Sequence, residues 1–164
     1  IHDLIPQLEA GSHLGVDCLL GARFMRNSQL KGYSWFRTFG NRVYNILFSL
    51  VAKRSIYDLG SGLNVYRLET FREFYLKKFP DDLTFNYVML LASYHLKQKV
   101  RFFPISWREE DQRSNVKLFS QAFKVLGLLT SYAFKRSKFL NSELRARSFE
   151  TYTGQIRYRK NKEN

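Results

Sequence analysis

Cysteine is nearly missing from this chain. The one that occurs, Cys18, lies inside the apolar run "GVDCLLGAR". A lone buried thiol excludes a disulfide framework and fits a reducing compartment. Histidine is scarce as well. His2, His13 and His95 show no metal-ligand spacing, which argues against a zinc site. No uncharged apolar run approaches the ~20 residues of a membrane-spanning helix. The longest candidate, Val125 to Phe134, is far shorter, so no transmembrane helix is expected. The opening "IHDLIPQLEAG" has neither an initiator methionine nor a basic leader, so a signal peptide is not expected. It reads as the interior of a longer protein whose N-terminal part precedes it.

Acidic residues are also few: 14 Asp and Glu against 27 Lys and Arg, a formal charge of +13. Such an excess implies an anionic partner, whether nucleic acid, an acidic membrane or a phosphorylated substrate. What the chain has in quantity is apolar surface. A hydrophobic content of 45% with 16% aromatics excludes a disordered chain, and 164 residues suffice for one domain with a core.

Periodicity divides the chain into an α/β order. "HDLIPQLEAG" predicts a short amphipathic helix, with Asp3 as a candidate cap and Gly11 as its stop. "GVDCLLGAR" predicts a buried strand. Asn27 to Ser34 is loop-like. From Trp35 to Lys53, Phe36, Phe39, Val43, Ile46, Leu47, Leu50 and Val51 recur at helical spacing. Leu68 to Lys78 and Asn86 to Lys97 predict two further helices. "QKVRFFPISWR" alternates like a strand, with Pro104 marking an edge or an end. From Val116 an amphipathic helix is expected to place Phe119, Ala122, Phe123, Leu126, Leu129 and Ala133 on one face. The segment from Lys135 onward holds nine Lys and Arg against three Glu and reads as a poorly packed basic tail.

Four constellations carry possible chemistry. Arg37, Asn41 and Asn45 recur every fourth residue and share one helix face, with Arg23 and Arg42 nearby. They form either a phosphate grip, to which the arginine fork is suited, or a solvated face. "DLGSGLNVYR", Asp58 to Arg67, brackets Ser61 with Gly60 and Gly62. It is a binding loop or a plain turn, and neither a dinucleotide nor a Walker loop. "PISWREEDQRSNVK" crowds Arg108, Glu109, Glu110, Asp111 and Arg113 before Ser114 and Lys117. It is a phosphate- and sugar-contacting loop or a surface salt-bridge cluster. The amphipathic helix after Val116 is suited to a membrane interface or to packing on the sheet.

In order along the chain, these pieces resemble the second half of a family 2 glycosyltransferase, of the dolichyl- and polyprenyl-phosphate sugar transferase branch. "GAR" at Gly21 to Arg23 resembles the strand ending in Gly-Ser-Arg. Arg37, Asn41 and Asn45 resemble an Arg-x-x-x-Ser-x-x-x-Asn helix, with asparagine where serine is usual. Asp58, Ser61, Gly62 and Arg67 match Asp-x-x-Ser-Gly followed by a strand and an arginine. Pro104, Ile105, Trp107, Arg108, Ser114 and Lys117 resemble the Pro-Ile-x-Trp strand end with its arginine, serine and lysine. "HDLIPQLEAG" resembles the helix that precedes them, and while no one motif is strong, the five in this order make the resemblance fairly specific.

The resemblance implies a GT-A-like mixed sheet flanked by helices over residues 1–115, a partial domain. Amphipathic helices and the basic tail follow over 116–164. It implies transfer of a sugar from a nucleotide-sugar donor to a lipid-linked phosphate, peripherally, at the cytoplasmic face of an anionic membrane. Asp58 and Ser61 would be catalytic. Arg23, Arg37 and Asn41 would bind the acceptor phosphate, and Arg108, Ser114 and Lys117 the donor diphosphate. A divalent cation, Mg2+ or Mn2+, is implied, with its Asp-x-Asp ligands in the preceding half and none in this chain. Arg113 stands where that family commonly has glycine. A nucleic-acid-binding module and a non-catalytic peripheral membrane protein are the alternatives; no specific nucleic acid is expected under the first reading.

Overall fold

The apolar run Cys18–Ala22 (β1) has no polar side to offer water, and it forms the central strand of a three-stranded sheet, buried along its whole length. On one side it pairs in parallel with Val100–Pro104 (β4), Cys18 opposite Val100 and Ala22 opposite Pro104. On the other it pairs antiparallel with Asn64–Tyr66 (β3), Cys18 opposite Tyr66. Pro104, which cannot donate to a ladder, ends an edge strand, as expected. The chain is thus a mixed α/β protein with a small mixed sheet. The computed structural model describes residues 4–67, 69, 73–108 and 118–152.

The helices are Ile5–His13 (α1), Trp35–Ala52 (α2), Glu73–Lys78 (α3), Phe85–His95 (α4) and Leu118–Asn141 (α5). Alternate residues of β1 feed two cores. Cys18 and Leu20 join Phe48 of α2, Leu90 and Leu91 of α4, and Val125, Leu129 and Tyr132 of α5. Leu19 joins Phe103 and Ile105, with Leu4, Leu63 and Val65 against them. Each such buried side chain contributes about 1.5–3 kcal/mol, so the sheet is held chiefly through its Cys18 face.

Several expectations change. Gly11 does not stop α1 but lies inside it, where a Cβ would come within 2.9 Å of Leu19. The helix ends two residues later, and Gly15 beyond it takes φ +61°. The loop-like stretch Asn27 to Ser34 contains a second strand, Leu30–Lys31 (β2), paired in parallel with Trp107–Arg108 (β5). Two residues are too few for a periodic signal; the partner makes the strand. The apolar face of α5 is rotated from the expected one: Val125, Leu129 and Tyr132 are buried, whereas Phe123 and Ala133 are exposed. The segment after Lys135 is partly packed. Phe139 and Leu140 are buried. Arg145 donates to the Lys77 carbonyl at 2.7 Å and lies against the rings of Phe149 and Tyr152. Asp3, Leu68, Glu109, Glu110, Asp111, Arg113, Ser114, Val116 and Lys117 lie outside the described residues.

Candidate functional site

Arg23 follows the last residue of β1, at the carboxyl end it shares with parallel β4. Its guanidinium meets Asp58 as a fork: Nε donates to Oδ2 at 2.7 Å and Nη2 to Oδ1 at 2.9 Å. The Arg23 backbone N–H donates to Oδ2 at 2.9 Å, and the Gly60 N–H to Oδ1 at 2.9 Å. Each carboxylate oxygen therefore accepts two hydrogen bonds. Arg23 is only 8% exposed, and the Asp58 side chain is fully covered. Burial pulls the Arg23 pKa down, but the hydrogen bonds and charge of Asp58 outweigh it and leave it above its ordinary value. The rings of Phe24 and Tyr33 flank the guanidinium at 5.3 and 5.4 Å.

The pair is tied to α2. The Asn41 amide donates to the Tyr33 hydroxyl at 3.1 Å and to the Arg37 carbonyl at 2.8 Å. Asn45, one turn on, is buried. Its Nδ2 donates to the Tyr57 carbonyl at 2.7 Å, and its Oδ1 accepts from the Leu59 N–H at 3.2 Å. One asparagine thus clamps the backbone on both sides of Asp58. The Arg37–Asn41–Asn45 stripe is not a solvated face: it turns into the protein, with Arg37 and Asn41 half-buried.

The glycines of "DLGSG" differ in surroundings. A Cβ on Gly60 would lie 2.9 Å from Arg23 Nη2, whereas one on Gly62 would meet nothing. Ser61 is buried and its Oγ accepts the Leu63 N–H at 3.4 Å. The loop passes closely over β1. A Cβ on Gly21 would lie 3.0 Å from the Leu63 carbonyl oxygen, and the Gly21 N–H donates to that oxygen at 2.8 Å.

Beyond β4, the β2–β5 pair sets exposed Lys31 in register with exposed Arg108. Ser114 and Lys117, expected beside Arg108, lie outside the described residues. Sequence reasoning missed Lys31, Tyr33 and the clamping role of Asn45. The first two sit in a stretch with no periodic signal, and the third depends on a loop twelve residues away. Among the described residues no group of three His, Cys, Asp or Glu is placed to hold a metal ion. None of the described helices is long and apolar enough to cross a membrane.

No family model matches the chain, and no curated protein or solved structure is significantly similar to it.

Proposed function

We propose that this chain is the acceptor-side part of a membrane-associated family 2 glycosyltransferase. It acts with a nucleotide-binding half that carries the Asp-x-Asp pair and moves a sugar from a nucleotide-sugar to a lipid-linked phosphate. The observation that carries this reading is the clustering of cationic and amide groups at the carboxyl ends of β1 and β4. Ligands of open α/β sheets bind at such ends.

The chemistry needs little from the protein beyond positioning and charge. The acceptor phosphate is ionised at pH 7, so its oxygen attacks the anomeric carbon without a general base. The bond from that carbon to the donor diphosphate breaks, and the nucleoside diphosphate leaves with the electron pair. Arg37 and Asn41 face the acceptor, with Arg23 held beside them by Asp58. Arg108 and Lys31 stabilise the charge that grows on the leaving diphosphate, the interaction that most lowers such barriers. A divalent cation on the donor would supply further charge stabilisation. The described residues offer it no ligand set, and its ligands would come from the Asp-x-Asp half. Asp58 acts through Arg23, and Ser61 acts by shaping the loop.

The test is a transfer assay on the chain joined to an Asp-x-Asp-bearing nucleotide-binding half, with a panel of nucleotide-sugars and a polyprenyl phosphate. Transfer is expected with one donor, and Arg108→Ala should lower it about 10- to 100-fold. No transfer from any donor would overturn the reading. The nucleic-acid alternative predicts tight binding to a defined single strand that survives moderate salt.

A further inference from the structure

The helix with the strongest apolar periodicity wears that periodicity outward. On α2, Trp35, Phe36, Phe39, Val43, Ile46 and Leu50 are all exposed, Trp35 at 77%, Ile46 at 60% and Leu50 at 68%. At about 100° per residue these six fall within roughly 100° of the helix circumference. Asn45 and Phe48, on the far side, are the ones buried. An apolar stripe on a helix normally faces the core. Here the inward places go to the Asn41–Asn45 clamp and to the core residue Phe48, and the stripe lies on the surface from Trp35 to Leu50, about 22 Å of the helix. A contiguous exposed patch of this kind marks an interaction surface.

We propose that this outward face of α2 docks the protein on an anionic phospholipid bilayer, lying in the plane of the interface. The reasons are charge and chemistry. α2 contains Arg37 and Arg42 and no acidic residue, and Lys53 and Arg54 follow it. Arg42, Lys53 and Arg54 are exposed. A surface that offers apolar depth beneath a layer of negative charge complements this arrangement. A second copy does not: face-to-face pairing would bring the same cations together on two chains that each carry +13. Trp35 and Phe39 stack at 5.8 Å at one end of the stripe, a composition suited to the headgroup boundary.

Docking this way leaves Arg37 and Asn41, on the opposite side of the same helix, about one helix diameter (~10 Å) from the lipid surface. The inference builds on the membrane-surface part of the proposed function alone. It puts the contact on α2 rather than on α5, whose sequence suited either a membrane interface or packing on the sheet.

The experiment uses vesicles and no sugar donor. The protein has two tryptophans, Trp35 and Trp107, so Trp107→Phe leaves Trp35 as the sole reporter. With vesicles of phosphatidylcholine and about 30% phosphatidylglycerol, Trp35 emission is expected to shift to the blue and to be quenched by brominated lipid. With phosphatidylcholine alone the effect should be much weaker. The double variant Ile46→Ser/Leu50→Ser alters only exposed positions and is expected to lower vesicle partitioning at least ~10-fold. Phe123→Ser/Phe134→Ser on α5 should change it less than ~2-fold. Circular dichroism and thermal melting confirm that each variant is folded.

Three results would overturn the proposal. One is an unquenched Trp35. Another is loss of binding with the α5 variant and not the α2 variant. The third is a blue shift that follows protein concentration without lipid, the mark of a second copy on the stripe. Transfer that persists while vesicle binding is absent would sink this inference and leave the proposed function standing.

Discussion

Asp58 holds Arg23 by three hydrogen bonds across 35 residues of chain, one of them from the Arg23 backbone itself. The contact fixes where the 58–63 loop meets the end of β1. Asp58→Asn cannot keep it. Both carboxylate oxygens accept two donors each, so an amide nitrogen at either position faces two N–H groups and leaves the Arg23 charge buried without its partner. The expected loss of stability is about 3–5 kcal/mol, measured by urea denaturation. Arg23→Met/Asp58→Leu, which removes both charges, should recover much of it. An Asp58→Asn protein as stable as wild type would refute this account of the pair.

Gly60 and Gly62 make an internal comparison. Gly60→Ala forces its methyl against Arg23 Nη2 at 2.9 Å and must displace the ion pair, whereas Gly62→Ala enters open space. The first is expected to cost roughly 1–3 kcal/mol and the second to stay within about 0.5 kcal/mol of wild type. Equal effects from thermal melts would show that the loop relaxes freely around Arg23.

Asp82 gives the fold a pH dependence. It accepts from the Thr84 N–H at 2.8 Å and the Thr84 hydroxyl at 2.6 Å at the start of α4, and from Lys124 of α5. Burial raises its pKa, but these hydrogen bonds outweigh burial and hold it below the ordinary aspartate value of 3.8. Protonation is therefore harder in the folded state. The contribution is whole above the unfolded-state pKa and is lost as pH falls through the folded one. The urea midpoint of wild type should exceed that of Asp82→Asn near neutrality, and the gap should close in acid below the ordinary value. A gap that widens in acid would contradict the assignment.

Cys18 should be chemically silent. It is fully buried on β1, with Ser93 Oγ 3.4 Å and Gln98 Oε1 3.3 Å from its sulfur. Burial pushes the thiol up to about 11, against the smaller opposing effect of Ser93. A thiol-reactive dye at pH 8 is expected to label it at least ~100-fold more slowly in buffer than in denaturing urea, because reaction waits on opening of the sheet. Rapid native labelling would mean that β1 is not the protected centre of the sheet.

What the sequence by itself determined were the elements whose signal is local. The unbroken apolar run at Cys18–Ala22 has to be a buried strand, and the 3.6-residue rhythm from Trp35 onward has to be a helix. Candidate site residues were legible too, as arginines, asparagines and a Ser-Gly turn in a suggestive order. Which side of a helix faces inward was not. Periodicity names a stripe but not its partner, and on α2 the polar stripe went inside because Tyr57, Leu59, Tyr33 and the Arg23–Asp58 pair were there to receive it. The same limit hid β2, which exists only because Trp107 and Arg108 lie beside it, and misjudged the buried face of α5. Only the tertiary structure decided these, since each depends on contacts between groups far apart in the chain. Local spacing carries no record of them.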